Sequence, residues 1–273
     1  MTKRLFAALA LLLAALFLFA ACELKPAAPF QLGPYREGGS GGGGKALLEG
    51  SGKVETKTVS LPEETERFAL EVTGISVQGL RRAEVSIVID ESLDRGLVLE
   101  ADDNVIGCID ISVNNSTGRI TVKTERGTVI VSPTKLQLRV GAPVEKLVVK
   151  GAWKLAYDCP SIDACEVELN GAVNADLMFN ALESLRVDIN GASDCTLSGT
   201  AKRADFVLNG AANINAFGLT ARDASVVING AGNCETTAES TLRAEINGVG
   251  NVTYGGGPRL ERAIHGIGTV KKR

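Results

Sequence analysis

The residues best suited to chemistry are two carboxylates that recur one repeat apart in the second half of the chain. Glu168 and Asp188 each precede a glycine by three residues and lie 20 residues apart. On adjacent turns of a repeating fold, two such carboxylates could act as acid and base on a glycosidic bond. Glu166 and Arg186 stand beside them, which favours a solvated charged surface. We therefore expect no catalytic residue, with a glycan-cleaving enzyme as the alternative.

Other residues with catalytic or metal-binding chemistry are sparse. His265 is the only histidine, and no Cys/His cluster surrounds it, so no metal site is expected. Gly39 to Lys45 matches the start of a phosphate-binding loop, but Ala46 stands where the loop needs Ser or Thr, and no strand precedes it. The sequence indicates no metal and no cofactor.

The polar residue that does recur is asparagine. Five asparagines stand immediately before a glycine, and corner chemistry predicts that they stack as a ladder. A stripe that binds a sugar or a peptide is the alternative. These residues are Asn170, Asn190, Asn209, Asn229 and Asn247. A second polar column follows each glycine by three residues, and its single carboxylate, Asp194, argues against a calcium ladder.

The glycines themselves define the repeat. They are Gly151, Gly171, Gly191, Gly210, Gly230, Gly248 and Gly266, spaced by 20, 20, 19, 20, 18 and 18 residues. A near-constant period of this size predicts stacked coils that pair as parallel strands about 4.8 Å apart. We predict an all-β fold, a single-stranded parallel β-helix (β-solenoid) with an 18–20-residue repeat, in which each glycine turns the chain at positive φ.

Three apolar columns accompany the glycines and are expected to line the interior, since alternate side chains of a strand point to opposite faces. They stand two residues before the glycine (Val149, Leu169, Ile189, Leu208, Ile228, Ile246, Ile264), four before it (Leu147, Val167, Val187, Phe206, Val226, Ala244) and four after it (Leu155, Ala175, Cys195, Ile214, Cys234, Val252, Val270). Arg262 interrupts the second column. It predicts a capping coil whose charged end, residues 271–273, covers an open strand edge.

Residues 53–150 are less regular but still rich in strand patterns. We predict strands at residues 53–61, 69–77, 83–89, 97–101, 109–113, 120–124, 128–131 and 136–140. They are expected to form the first, irregular coils of the same solenoid, with a separate sandwich as the alternative. Trp153 and Tyr157 are the only clustered aromatic residues and are candidate binding residues.

The N-terminus carries an export signal. Lys3 and Arg4 precede an apolar run, residues 5–21, too short for a comfortable membrane span. The segment 18–22, Leu-Phe-Ala-Ala-Cys, resembles the bacterial lipoprotein signal, which implies lipid on Cys22 and anchoring to the cell envelope. Glu23 implies the outer membrane in a Gram-negative cell. A plain signal peptide with an incidental cysteine is the alternative.

Four segments follow from these patterns: a signal peptide at 1–21, a lipid-anchored Gly/Pro-rich tether at 22–52, irregular β coils at 53–150, and regular β-helix repeats with a C-terminal cap at 151–273. After residue 21 the chain holds 27 basic and 32 acidic side chains, which does not suggest a nucleic-acid surface. Cys159 and Cys165 lie close enough in sequence to pair in an oxidising compartment.

The repeats, together with Glu49-Gly50-Ser51-Gly52 before the first predicted strand and the segment 264–272, resemble the bacterial family named putative auto-transporter adhesin, head GIN domain. The resemblance covers about residues 50–273 and implies a right-handed single-stranded parallel β-helix. It also implies a non-enzymatic binding, adhesion or scaffold module at the cell surface, held to the membrane by lipid on Cys22, with a glycan or a protein as ligand. An accessory role in envelope signalling is the alternative.

Overall fold

The computed structural model describes residues 46–75, 77–78, 85–124, 128–159 and 162–273. The side chains of Ala46, Val85 and Trp153 are outside this description, as are the predicted signal, Cys22 and most of the predicted tether. The described residues divide into an N-terminal region, residues 46–140, and a solenoid, residues 144–272.

The N-terminal region contains ten short strands and one helical turn. They are β1 (Ala46–Glu49), β2 (Val54–Ser60), β3 (Phe68–Thr73), β4 (Val77–Gln78), β5 (Val85–Ile89), β6 (Gly96–Asp102), α1 (Asp103–Ile106), β7 (Ile109–Asn114), β8 (Arg119–Thr124), β9 (Thr128–Val131) and β10 (Leu136–Val140). The eight predicted strands lie where the sequence put them, although the second is divided into β3 and β4. Strand β1 and helix α1 were not predicted.

The solenoid consists of long strands that each run around much of a coil. They are β11 (Val144–Cys159), β12 (Ala164–Ile189), β13 (Ala192–Leu208), β14 (Ala211–Ile228), β15 (Ala231–Ile246), β16 (Val249–Gly256), β17 (Arg259–Ile264) and β18 (Ile267–Lys272). All pair in parallel with a register of one repeat, so that Ile189 lies beside Leu208 and Leu208 beside Ile228. The predicted β-solenoid is confirmed.

The predicted inner columns are buried. Leu169, Ile189, Leu208 and Ile228 have no exposed surface, because each is covered by the equivalent residue of the coils on either side. Burying apolar area in this way stabilises the stack by about 25 cal/mol per Å². Ile264 is the exception at 40% exposure, since within the described residues β17 pairs with β15 alone.

The repeat glycines serve a different purpose from the one predicted. Positive φ occurs only at the first two, Gly151 and Gly171, with φ of 135° and 156°. From Gly171 onward, a Cβ would lie between 1.8 and 2.0 Å from the carbonyl oxygen of the glycine one coil earlier. Glycine is required because neighbouring backbones approach too closely for any side chain.

The N-terminal region joins the solenoid through its sheet, but it is not simply a set of irregular coils. Strands β3 and β5 pair in parallel with β11 and extend the stack. In contrast, β2 and β10 flank β6 in antiparallel pairs, and β7 and β8 form an antiparallel hairpin. The prediction of continuous coils over residues 53–150 is therefore wrong for these ribbons, whose paired strands run in opposite directions instead of winding around in one.

A buried carboxylate fixes the start of the domain. Asp102 has no exposed surface and accepts hydrogen bonds from the backbone N–H of Gly52 at 2.8 Å and of Thr134 at 2.7 Å. Burial would raise the pKa of Asp102, but these hydrogen bonds outweigh it and lower the pKa below its ordinary value. We call Asp102 and the segment 50–52 the clasp. The predicted tether end at residue 52 is therefore wrong, because residues 46–52 belong to the folded domain.

Candidate functional site

The turn asparagines stack as predicted. Each side-chain amide donates from Nδ2 to the Oδ1 of the asparagine one coil earlier, at 2.8–3.0 Å from Asn190 through Asn247. The ladder uses one Nδ2 hydrogen and one Oδ1 lone pair of each inner member and leaves the other of each unused, on side chains that are exposed. The ladder therefore presents a donor and an acceptor at every coil, about 4.8 Å apart.

The second polar column forms another ladder on the strands that follow the glycines. Asn213 donates to Asp194 at 2.9 Å, Asn233 to Asn213 at 3.1 Å, and Asn251 to Asn233 at 3.1 Å. The Thr269 hydroxyl then donates to Asn251 at 2.7 Å. All five side chains are exposed. Because the column has one carboxylate and is held by its own hydrogen bonds, it does not provide the several charged oxygens that calcium needs.

An exposed apolar column separates the two ladders, and the sequence analysis missed it. It consists of the residue immediately after each glycine: Ala152, Ala172, Ala192, Ala211, Ala231, Val249 and Ile267. Val249 and Ile267 are 54% and 72% exposed. The signal was present in the sequence as the alanine of each Asn-Gly-Ala triplet. We call the apolar column with the second ladder the amide face; the two columns are about 7 Å apart along each strand.

The surface before the glycines is different in kind. There, the Arg186 guanidinium donates two hydrogen bonds of 2.9 Å to Asp188, and Arg203 forms an ion pair with Asp205 at 2.9 Å. We call the exposed side chains three, five and seven residues before each glycine the charged face. Most of its long side chains are paired with one another, which leaves few of them to recruit a partner.

The predicted carboxylate pair lies on this charged face. Glu168 accepts a hydrogen bond from Lys146 at 2.5 Å, which lowers its pKa, and Asp188 is held by Arg186. A glycosidase acid needs a raised pKa so that it carries a proton at neutral pH. The environment of Glu168 shifts its pKa the opposite way, which does not favour Glu168 as the acid of such a pair.

Tyr157 is buried and is not available to a ligand at the surface. Its ring packs edge-on against Phe179 with centroids 5.8 Å apart, and its hydroxyl donates to the carbonyl oxygen of Val144 at 3.4 Å. Burial raises its pKa well above the ordinary value, with the neighbouring Cys165 and Cys159 adding to the shift. The prediction that Tyr157 is a binding residue is wrong, and the side chain of Trp153 lies outside the described residues.

Parallel coils with a continuous buried interior define the chain as a β-solenoid protein. The chain belongs to the family named putative auto-transporter adhesin, head GIN domain, whose model matches residues 73–258. The family match begins within the N-terminal region and includes all but the last coil of the solenoid.

Solved structures share this fold. A putative adhesin from Bacteroides fragilis superimposes with a TM-score of 0.67 at 18% identity, covering 83% of this chain and 100% of its own. A putative adhesin from Parabacteroides merdae gives 0.51 at 20% identity over 84% and 99%. A putative lipid binding protein from Parabacteroides distasonis gives 0.54 at 19% identity over 83% and 99%.

None of the curated proteins compared with the chain matches it. Within the described ranges, no helix combines the length and apolar character that crossing a bilayer requires.

The N-terminal region encloses a small apolar cavity. Its volume is about 20 Å³, and its walls include Val72, Leu99 and Ile109. Since one water molecule needs about 10–15 Å³ of such space, the cavity has room for about one water-sized group and is too small for an acyl chain. The outer surface, rather than this cavity, is the better place for a ligand.

Proposed function

We propose that the protein is a cell-envelope lipoprotein that binds a surface glycan without cleaving it, and that the amide face makes the contact. The observation that carries the proposal is the exposed apolar column beside an amide ladder, repeated over successive coils. The adhesin names of the family and of its solved relatives support a binding role.

The chemistry of a sugar ring matches this arrangement. One surface of a pyranose presents C–H groups, which pack on apolar side chains, while its hydroxyls need donors and acceptors at the ring edge. Ala211, Ala231 and Val249 offer the apolar contact, and the amides of Asn213 and Asn233 offer both kinds of hydrogen-bonding group. Because the pattern recurs at each coil, an extended chain can make the same contacts several times, which multiplies weak single contacts.

Binding to immobilised polysaccharides tests the role of the amide face. The full chain with Cys22→Ser is compared with the same chain carrying Asn213→Ala and Asn233→Ala. Loss of two hydrogen-bonding side chains is expected to weaken binding about tenfold. Arg203→Ala with Asp205→Ala is the matched control on the charged face, and it should bind as the parent does. Equal binding by both double variants would show that the amide face does not contact the glycan.

Lipid on Cys22 is the second part of the proposal. The basic start, the apolar run and the small residues before Cys22 support it. Cells grown with an alkyne-bearing fatty acid should label the parent chain, and Cys22→Ser should abolish the label and release the protein from the membrane fraction. Retained membrane association of an unlabelled parent chain would contradict a lipid anchor.

A further inference from the structure

Among the described residues, most basic side chains have a polar partner, but the last four along the chain do not have a carboxylate partner. From Lys53 to Arg259, each described Lys and Arg has a carboxylate within 4.0 Å, a hydrogen bond to a carbonyl oxygen, or another polar interaction. Four cations beyond that point have no carboxylate partner among the described residues: Arg262, Lys271, Lys272 and Arg273. Arg273 instead lies over the Phe217 ring at 4.8 Å.

Formal charge is equally uneven. Residues 22–273 carry 27 basic and 32 acidic side chains, a balance of −5. Residues 259–273 hold five basic side chains and one acidic one, a balance of +4, which leaves 22 against 31, or −9, for residues 22–258. The last coil is thus a basic patch on an acidic protein, and a field of one sign over one patch attracts ligands of the opposite sign.

The basic patch is continuous with the amide face. A surface groove of about 440 Å³ runs over Asn213, Asn233 and Asn251, passes the carboxylate of Glu235 and reaches Lys271, the one cation in its lining. Lys271 pairs with Thr253 as part of β18, so it is a strand residue of the last coil and lies along the edge of β16, as the sequence predicted for residues 271–273. Arg262 pairs with Ala244 at an inner-column position, yet it is exposed because no described strand covers it.

We propose that this groove binds an acidic polysaccharide, whose rings lie on the amide face and whose carboxylates pair with Lys271 in the groove and with Lys272 and Arg262 elsewhere on the last coil. The inference rests on the proposed glycan binding and specifies the class of glycan. Carboxylates suit the site because unpaired cations form charge-assisted hydrogen bonds that are about twice as strong as neutral ones. The charge complementarity favours an acidic chain over the neutral glycan that the amides alone would accept.

The probes are polygalacturonate, alginate and hyaluronate, with methyl-esterified polygalacturonate as the neutral match to the first. The full chain with Cys22→Ser is compared with a patch variant, Arg262→Gln/Lys271→Gln/Lys272→Gln. The matched control is Arg186→Gln/Arg203→Gln/Arg243→Gln, which removes the same three charges from the charged face. Melting curves verify that all three proteins fold.

We expect the parent to bind at least one acidic polymer, with the patch variant weaker by about tenfold or more and the control variant changed by less than about threefold. Methyl esterification of polygalacturonate should weaken its binding to the parent by a similar factor. Raising the salt concentration should also weaken the binding of the acidic polymer to the parent. If both the parent and the patch variant bind the methyl-esterified polymer, the ligand is not required to be acidic. That result would overturn the acidic class of ligand and leave the proposed glycan binding intact.

Three other results would also overturn the inference. An equal loss in the control variant would show that net charge alone matters. Failure of the parent to bind any of the three acidic polymers would exclude the class. Patch-dependent binding to phosphatidylglycerol vesicles, without binding to the polymers, would identify a membrane surface as the partner instead.

Discussion

The N-terminal region and the solenoid reach the same kind of buried β interior by different means. In the solenoid, each inner side chain lies between two copies of its own position, as Leu208 lies between Ile189 and Ile228. In the N-terminal region, hydrogen bonds between residues distant in sequence hold the strands, such as those that join Asp102 to Gly52 and Thr134. The first arrangement distributes stability over many equivalent contacts, whereas the second concentrates it in a few individual ones.

This difference determines how each part presents a surface. Because the coils are equivalent, the same position of each coil faces solvent in the same way. A residue type that recurs after each glycine therefore forms an exposed column over several coils. The N-terminal region has no such period and presents no repeated surface within the part that is described. A ligand with a repeating chemical structure is therefore matched by the solenoid alone.

The largest effect is expected from a charge placed in an inner column. Ile189→Asp buries an unpaired carboxylate between two coils and should cost at least about 4 kcal/mol, enough to unfold several coils. Val207→Asp, an outward position one strand later, is the matched control and should melt close to the parent. Thermal unfolding followed by circular dichroism measures both. Parent-like melting of Ile189→Asp would contradict the assignment of the column.

A smaller loss is expected where coils meet at the glycines. In Gly210→Ala, the new Cβ would lie 2.0 Å from the Gly191 carbonyl oxygen, so the coils must separate locally at a cost of about 3 kcal/mol. Gly257 has no atom within 4 Å of the equivalent position, and Gly257→Ala should change stability by less than about 0.5 kcal/mol. Urea unfolding of the two variants compares them. Similar losses in both would mean that glycine flexibility, and not close approach, is what matters.

The clasp tests the N-terminal side of the comparison. Asp102→Asn leaves a buried backbone donor facing an amide and should cost about 2 kcal/mol at pH 7. The lowered pKa of Asp102 means that its contribution is complete above the unfolded value of 3.8 and is lost as pH falls through the folded pKa. The parent and Asp102→Asn should therefore converge in stability as pH falls below about 3.8.

The control for the clasp is Asp110→Asn, whose carboxylate is 60% exposed and pairs with Lys123 at 3.2 Å. It should change stability by less than about 0.5 kcal/mol at pH 7. A gap between the parent and Asp102→Asn that stays constant from pH 7 to pH 3 would show that the ionised carboxylate does not stabilise the fold.

The smallest effect is expected from the first ladder. Asn209→Ala removes hydrogen bonds of 2.8 Å to Asn190 and from Asn229, but all three side chains reach water, so the loss should be about 1 kcal/mol. Asn180→Ala, an exposed asparagine outside both ladders, is the reference. A loss above about 3 kcal/mol would mean that the ladder, and not the apolar columns, carries the stability of the solenoid.

The sequence predicted the solenoid well because its determinants repeat. Glycine spacing, the apolar columns and the turn asparagines all recur, and each can be located from the sequence alone. The clasp could not be predicted in the same way, since nothing in a single sequence connects Asp102 to Gly52. The sequence also misassigned Tyr157, although alternation from the inner residue Leu155, two positions earlier on β11, places its side chain on the buried face.

Side-chain amide NMR of the chain with Cys22→Ser, titrated with an acidic polysaccharide fragment, tests the central claim most directly. The account predicts that the Nδ2 resonances of Asn213, Asn233 and Asn251 shift together and saturate, while those of Asn104 and Asn114 in the N-terminal region remain in place. Shifts confined to Asn104 and Asn114, with the three amides of the second ladder unchanged, would contradict it.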